Sequence, residues 1–199
     1  MKIVLLILIF IGGIVFVTSS CTNKSNEKLT QNIGKKKNSE NEKINSKENP
    51  FVELRNKAFK VKPEELGIVL SNEETKVFGI IMDWEMGGAT ASTISYQTGD
   101  ASLYLSSGGG VIGGGTHPNV KIEAENFVRM AQSYLEKTLK TENNKLPETN
   151  NVNFYLLTNK GLYVGIEKIE NFENNSSEWL QLFEQGNRVL SELRKISEK

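Results

Sequence analysis

The alternation of apolar and polar positions predicts a sheet in the middle of the chain. Residues 76–83 form an apolar, β-prone run typical of a central strand, and residues 89–97 and 101–107 predict two further strands. The segment 98–100, Thr-Gly-Asp, predicts the hairpin turn that joins the last two strands. In the third strand the side chains alternate between two faces, with Ala101, Leu103 and Leu105 on one and Ser102, Tyr104 and Ser106 on the other.

Two long helices are predicted from apolar residues that recur at helical spacing. Residues 119–139 predict the longest helix, and residues 177–195 predict a helix that closes the chain. Each carries one apolar stripe that we expect to face the core. The first stripe is Val120, Ala124, Phe127, Ala131, Tyr134 and Leu135, and the second is Trp179, Leu182, Phe183, Leu190 and Leu193.

Shorter elements complete the predicted fold. Residues 51–59 predict a short helix, and residues 153–158 and 162–167 predict a second hairpin. The order is then helix, three strands, helix, two strands, helix. Strands joined by hairpins form an antiparallel sheet, so we expect an α+β domain. Its sheet has about five strands, a three-strand meander plus a hairpin, packed by the two long helices.

The first twenty residues have a different pattern from the rest. Lys2 is followed by an apolar run over residues 3–17, and Thr18-Ser19-Ser20 are all small. A positive start, an apolar middle and small residues before a cleavage point are typical of a secretory signal peptide. The alternative is an uncleaved membrane anchor, but such a helix needs about 20 apolar residues, and this run is shorter.

Cys21 follows these small residues, and the segment resembles the lipobox of bacterial lipoproteins. That resemblance implies that the Cys21 sulfur carries the lipid and that the chain is anchored to a membrane of the cell envelope. Thr18 departs from the Leu or Val that is usual three residues before the cysteine. The predicted organisation is a signal peptide at 1–20, a lipidated cysteine with a disordered tether at 21–50, and a single domain at 51–199. The tether is assigned from its many Asn, Lys, Ser and Glu residues, which cannot form a core.

Composition excludes several kinds of chemistry. Cys21 is the only cysteine and His117 the only histidine. An acylated Cys21 leaves no thiol for a disulfide, a zinc–thiolate site or a nucleophile. One histidine cannot form a multi-histidine metal site within one chain. The formal net charge is zero, and we expect neither a cofactor nor a nucleic-acid partner.

Two groups of residues suggest catalysis or cation binding, and both have simpler interpretations. Asp83 and Glu85 offer two carboxylates for a hard cation, but one pair supplies too few ligands, so a solvated strand end is favoured. Ser106 or Ser107 with His117, and Asp83 or Asp100 as the acid, suggest a weak hydrolase. No Gly-x-Ser-x-Gly motif supports this.

The two glycine runs before the longest helix are the most unusual local feature. Six ordered glycines cost on the order of 3–6 kcal/mol in backbone entropy relative to alanine, so the loop is either mobile or requires glycine. It is predicted to form the functional surface, since glycines before a helix start can direct backbone N–H groups towards an anion. A close backbone crossing is the alternative. The predicted surface is Gly108, Gly109, Gly110, Gly113, Gly114, Gly115, Thr116 and His117.

Three segments resemble a family of small bacterial proteins with no assigned function. They are PEELG at 63–67, GIIMD at 79–83 and SLYLSSGGG at 102–110. The element order also loosely resembles profilin-like and roadblock-like domains, which are interaction modules; such analogy argues little about function. The sequence favours a membrane-tethered, non-enzymatic interaction domain with an envelope protein as partner. A small-ligand or anion-binding module that uses the glycine loop is the alternative, and a weak hydrolase is third.

Overall fold

The computed structural model describes residues 49–198. The predicted signal peptide, Cys21 and nearly all of the predicted tether lie outside the described residues. Among the helices that are described, none combines the length and the apolar character needed to cross a membrane.

The described residues form four α-helices and seven strands. The helices are α1 (Phe51–Lys60), α2 (Pro118–Gln132), α3 (Ile169–Glu173) and α4 (Leu180–Ser197). The strands are β1 (Val77–Glu85), β2 (Thr90–Tyr96), β3 (Ala101–Leu105), β4 (Gly110–Val111), β5 (Leu139–Thr141), β6 (Asn151–Thr158) and β7 (Gly161–Lys168). Short 3-10 turns occur at Pro63–Leu66, Gly114–Thr116 and Leu135–Lys137.

The seven strands form one open sheet in the order β4-β3-β2-β1-β6-β7-β5, and every neighbouring pair is antiparallel. The predicted α+β class is therefore confirmed, and so are the meander and the second hairpin. The sheet has seven strands rather than about five because a short strand is added at each edge. These edge strands have two and three residues, too few to show a period of two in the sequence.

One face of the sheet is covered by α2 and α4. The predicted stripe of α2 is confirmed, since Val120, Ala124, Phe127 and Ala131 are fully buried. On α4 the fully buried residues include Leu182 and Leu193, as expected. This face holds the larger of the two apolar clusters, and the sheet contributes to it through alternate positions: Ile80, Met82, Ala91, Leu103, Val152, Phe154 and Leu156.

The other face of the sheet is covered by α1. Phe51 and Ala58 on the helix are buried against alternate positions of the central strands. The hydroxyl of Tyr96 donates a hydrogen bond to the carbonyl of Ala58 over 3.0 Å, which fixes the last turn of the helix. The sheet residues in this second cluster are Phe78, Ile81, Ile94, Tyr96, Tyr104, Tyr155 and Leu157.

The prediction of one helix over residues 119–139 is wrong at its C-terminal end. Helix α2 stops at Gln132, and the chain makes a 3-10 turn before it enters β5. Ser133 Oγ donates to the Met130 carbonyl over 2.7 Å, and Thr138 Oγ1 donates to the Leu135 carbonyl over 2.6 Å. These side chains satisfy carbonyls that a continuing helix would use, which favours its end at this point.

Candidate functional site

A buried ion pair lies between α1 and the sheet. Asp83 on β1 is completely inaccessible to solvent, and Arg55 on α1 is nearly so. Arg55 Nε donates to Asp83 Oδ2 over 3.0 Å, and Nη2 donates to the same oxygen over 2.5 Å. The hydroxyl of Ser92, the cross-strand neighbour of Asp83 on β2, donates to Oδ1 over 2.5 Å. Both carboxylate oxygens are therefore satisfied inside the domain.

The loop at residues 142–150 also contacts this ion pair. The carbonyl of Lys145 accepts hydrogen bonds from Tyr155 Oη over 2.5 Å and from Arg55 Nη2 over 3.4 Å. The guanidinium lies 4.8 Å from the centre of the Phe59 ring, in a cation–π contact. Asn144 Nδ2 donates to Asn56 Oδ1 over 3.2 Å, which joins the loop to α1.

Burial raises the pKa of the Asp83 carboxyl above its ordinary value, while the guanidinium of Arg55 and the hydroxyl of Ser92 oppose that rise. The closed geometry leaves no room for a substrate at this carboxylate. The cluster therefore holds α1 on the sheet. The sequence signal for it was the position of Arg55 between Phe51 and Ala58, at helical spacing on an otherwise apolar stripe.

The second candidate carboxylate, Glu85, is also used within the fold. Its Oε1 accepts from the backbone N–H of Gly88 over 2.5 Å, and Oε2 accepts from that of Asn150 over 2.8 Å. These two N–H groups lower the pKa of Glu85. The prediction of a solvated strand end is thus wrong for both carboxylates. Trp84, between them, is partly buried on the opposite face and contacts Phe183. No group of three potential metal-ligating side chains occurs among residues 49–198.

Half of the glycine loop serves packing. Gly110 lies in β4, where a Cβ would fall 2.1 Å from the carbonyl oxygen of Leu103. A Cβ on Gly114 would fall 2.4 Å from Leu193 on α4, and one on Gly115 would fall 2.9 Å from the Cα of Asp100. These three glycines allow the loop to cross closely over the strands and α4.

The other half of the loop is open to solvent. Gly108 and Gly109 have φ of 101° and 86°, and a Cβ on either would contact nothing within 4 Å. Glycine is favoured there by backbone conformation rather than by packing. Beyond them Ile112 is 67% exposed, and Thr116 and His117 are also exposed. Together, Gly108, Gly109 and these side chains belong to one exposed strip, which we call the loop surface (residues 107–109, 112–113 and 116–117).

Ser106 and Asp83, two of the residues considered for hydrolysis, are not brought to His117, whereas Asp100 lies against Gly115, two residues before His117. Ser106 Oγ accepts the backbone N–H of Thr90 over 2.7 Å. The side chain of His117 makes no hydrogen bond to another described residue, and it does not cap α2. Asp83 points to the face under α1, whereas His117 precedes α2 on the opposite face.

Two surface cavities occur elsewhere. One of about 370 Å³ lies beside the C-terminal end of α1 over Phe78 and Leu157, and one of about 570 Å³ lies between Val69 and α2. Neither is lined by a residue of the loop surface. No family model, curated protein or solved structure matches the chain.

Proposed function

We propose that this chain is a lipoprotein of the cell envelope, anchored to a membrane through Cys21, and that its α+β domain is a non-enzymatic interaction module. The observation that carries the proposal is the order of residues 1–21: a positive start, an uncharged apolar run, three small residues and the single cysteine of the chain. A lipidated cysteine carries more than one acyl chain, and two chains are enough for stable attachment.

The loop surface is the part of the domain proposed to recognise the partner. It carries the apolar side chain of Ile112, which is 67% exposed and therefore contributes little to the stability of the domain. It also carries Gly108 and Gly109, which are exposed and where a Cβ would meet nothing within 4 Å. By contrast, the buried charged groups are already used within the fold. Arg55 and Asp83 are bonded to each other, and Glu85 is bonded to backbone N–H groups.

The alternative use of the same surface is to bind a small ligand or an anion. What favours it is that Gly108 and Gly109 are exposed and have no side chains, just before the chain turns into β4 and then α2. Such backbone can approach a ligand closely. Isothermal titration of the purified chain with inorganic phosphate and acetate separates this use from protein recognition, since heat from either anion that is lost in Gly109→Val favours ligand binding.

The anchor is tested with Cys21→Ser in bacterial cells fed labelled palmitate. The parent chain should incorporate label and sediment with membranes, and the variant should do neither or remain as a longer precursor. Equal labelling and equal membrane retention of the two proteins would contradict a lipid on Cys21.

The loop surface is tested by crosslinking in native membranes. Ile112→Asp should remove crosslinks to envelope proteins that the parent chain forms, while its melting temperature stays unchanged because the side chain is exposed. Val69→Asp is the matched control, since Val69 is also exposed but borders a cavity that contains no residue of the loop surface. If the two variants lose the same crosslinks, or neither loses any, the loop surface does not recognise the partner.

A further inference from the structure

The face of the sheet that α1 covers is only partly covered. On β7 the side chains of Leu162, Val164 and Ile166 point to this face, because they are in register with Leu157, Tyr155 and Asn153 of β6. Beyond them Leu139 of β5 is in register with Val164. Leu139 is 77% exposed and Ile166 is 58% exposed. Strands β7 and β5 therefore present apolar side chains to solvent on the same face of the sheet whose central part is covered by α1.

Two more exposed apolar side chains continue this surface towards α1. Leu146 is 44% exposed and follows Lys145, whose carbonyl is bonded to Tyr155 on the same face. Val52 is 59% exposed and lies one helical turn before Asn56, the residue that joins α1 to the 142–150 loop. We call this set the α1-side strip: Val52, Leu146, Ile166 and Leu139.

The strip consists of projecting side chains rather than a concave site. None of its four members lines either cavity. Along β7 and β5 the positions on this face are Leu162, Val164, Ile166, Lys168, Leu139 and Thr141. Lys168, at the end of β7, is the one ionisable side chain among them, and a lysine at the margin of an apolar surface can keep its ammonium in water while its stem contacts the apolar phase. The interfacial region of a bilayer fits this surface, because it can adapt to projecting side chains and does not require a concave binding site.

The chain outside the described residues leads to the same face. Asn49 lies two residues before the start of α1, and its Nδ2 donates to the carbonyl of Ser106, just after β3. Between Cys21 and Asn49 there are 27 residues. A segment of that length spans at most about 95 Å when fully extended. A domain so close to a membrane experiences it at an effective concentration in the millimolar range, so a few apolar side chains suffice to bias its orientation.

We infer that the α1-side strip docks the domain onto the lipid surface, so that the bilayer contacts Leu139, Ile166, Leu146 and Val52. This inference rests on the proposed anchor for its setting. The loop surface lies by the β4 edge, at the other side of the sheet from β5.

The experiment attaches the purified mature chain to vesicles independently of cellular lipidation. The thiol of Cys21, the only one in the chain, is coupled to a maleimide-bearing lipid in phosphatidylethanolamine–phosphatidylglycerol vesicles. Hydrogen exchange of the backbone amides at 138–146 and 162–168 is then compared with that of the uncoupled chain. Exchange about tenfold slower is expected if the strip is docked nine-tenths of the time.

Charge variants decide which face is responsible. The pair Leu139→Asp with Ile166→Asp should abolish the slowing. Ile122→Asp should retain it, because Ile122 is 55% exposed on α2, which packs on the other face. Coupled chains that exchange as fast as uncoupled ones would overturn the inference. So would protection that appears in the uncoupled chain and grows with protein concentration, which would assign the strip to a second copy. Failure of cellular labelling at Cys21 bears on the proposed function alone, since the coupling here is chemical.

Discussion

The indole of Trp179 lies directly against Gly165 of β7. A Cβ at position 165 would fall 2.1 Å from Cη2 of that ring. The ring is also stacked on Phe154, with centroids 5.3 Å apart, so it has little freedom to withdraw. Because glycine has no Cβ, the start of α4 can pack against the sheet at position 165.

Gly165→Ala should lower the free energy of unfolding by about 1–3 kcal/mol, the usual cost of overpacking a core. Urea denaturation of the parent and variant measures it. Trp179→Phe in the same chain offers a control, because a smaller ring leaves room for the methyl group. The loss caused by Gly165→Ala should be smaller in the Trp179→Phe background, and equal losses in the two backgrounds would argue against this contact.

The ion pair beneath α1 predicts an asymmetry between single and double substitutions. Arg55→Met leaves Asp83 buried without its counter-charge, which should cost about 3–5 kcal/mol at neutral pH. Replacing both partners, Arg55→Met with Asp83→Val, removes the unpaired charge as well. We therefore expect the double variant to be more stable than the single one in chemical denaturation. A double variant that is less stable than Arg55→Met would contradict this account of the cluster.

Two serines of β2 offer a matched comparison. Ser92 and Ser95 are both fully buried, but Ser92 donates to Asp83 whereas Ser95 Oγ has no hydrogen-bond partner among the described residues. An unpaired buried hydroxyl costs about 1–3 kcal/mol. Ser95→Ala should therefore leave the melting temperature unchanged or raise it, and Ser92→Ala should lower it. The reverse order would show that Ser95 has a partner.

Glu85 predicts a dependence of stability on acid. Its pKa in the folded protein is lowered from the ordinary value of 4.5 by the N–H groups of Asn150 and Gly88. A carboxyl group with a depressed pKa contributes stability that is present above its unfolded value and is lost as the pH falls through the folded value. The advantage of the parent over Glu85→Gln should accordingly be constant above about pH 5.5, where the unfolded carboxyl is ionised, and shrink below pH 4.5. Thermal melts of the two proteins across that range measure it; a constant difference would exclude a role for the ionised carboxylate.

The sequence predicted the parts of the fold that depend on local periodicity. The alternation along β3 placed Ala101 and Leu103 on one face and Tyr104 on the other, as found: the first two face α2 and α4, and Tyr104 faces α1. The hairpin at 98–100 was predictable because Gly99 adopts the positive φ, 85°, that the turn needs. Local patterns of this kind are set within a few residues.

Features that depend on distant partners were not predictable in the same way. Strand β5 exists because its three residues pair with β7, and nothing in so short a segment indicates that partner. Arg55 and Asp83 are 28 residues apart in the chain, and a lone arginine on an apolar stripe is usually expected at the edge of the interface, with its charge in water. The glycine loop divides into packed and open halves according to contacts with Leu103, Asp100 and Leu193, which local sequence does not reveal.

The position of β1 in the sheet has a consequence for how the chain is made. Its two neighbours are β2, which follows at once, and β6, which begins about 65 residues later. Until that later segment has emerged, one whole side of the central strand has no hydrogen-bond partner. Non-local pairing of this kind slows folding, because a long loop must be closed before the contacts form. A chain synthesised in sequence order therefore keeps its central sheet unfinished until residues 151–158 have been made.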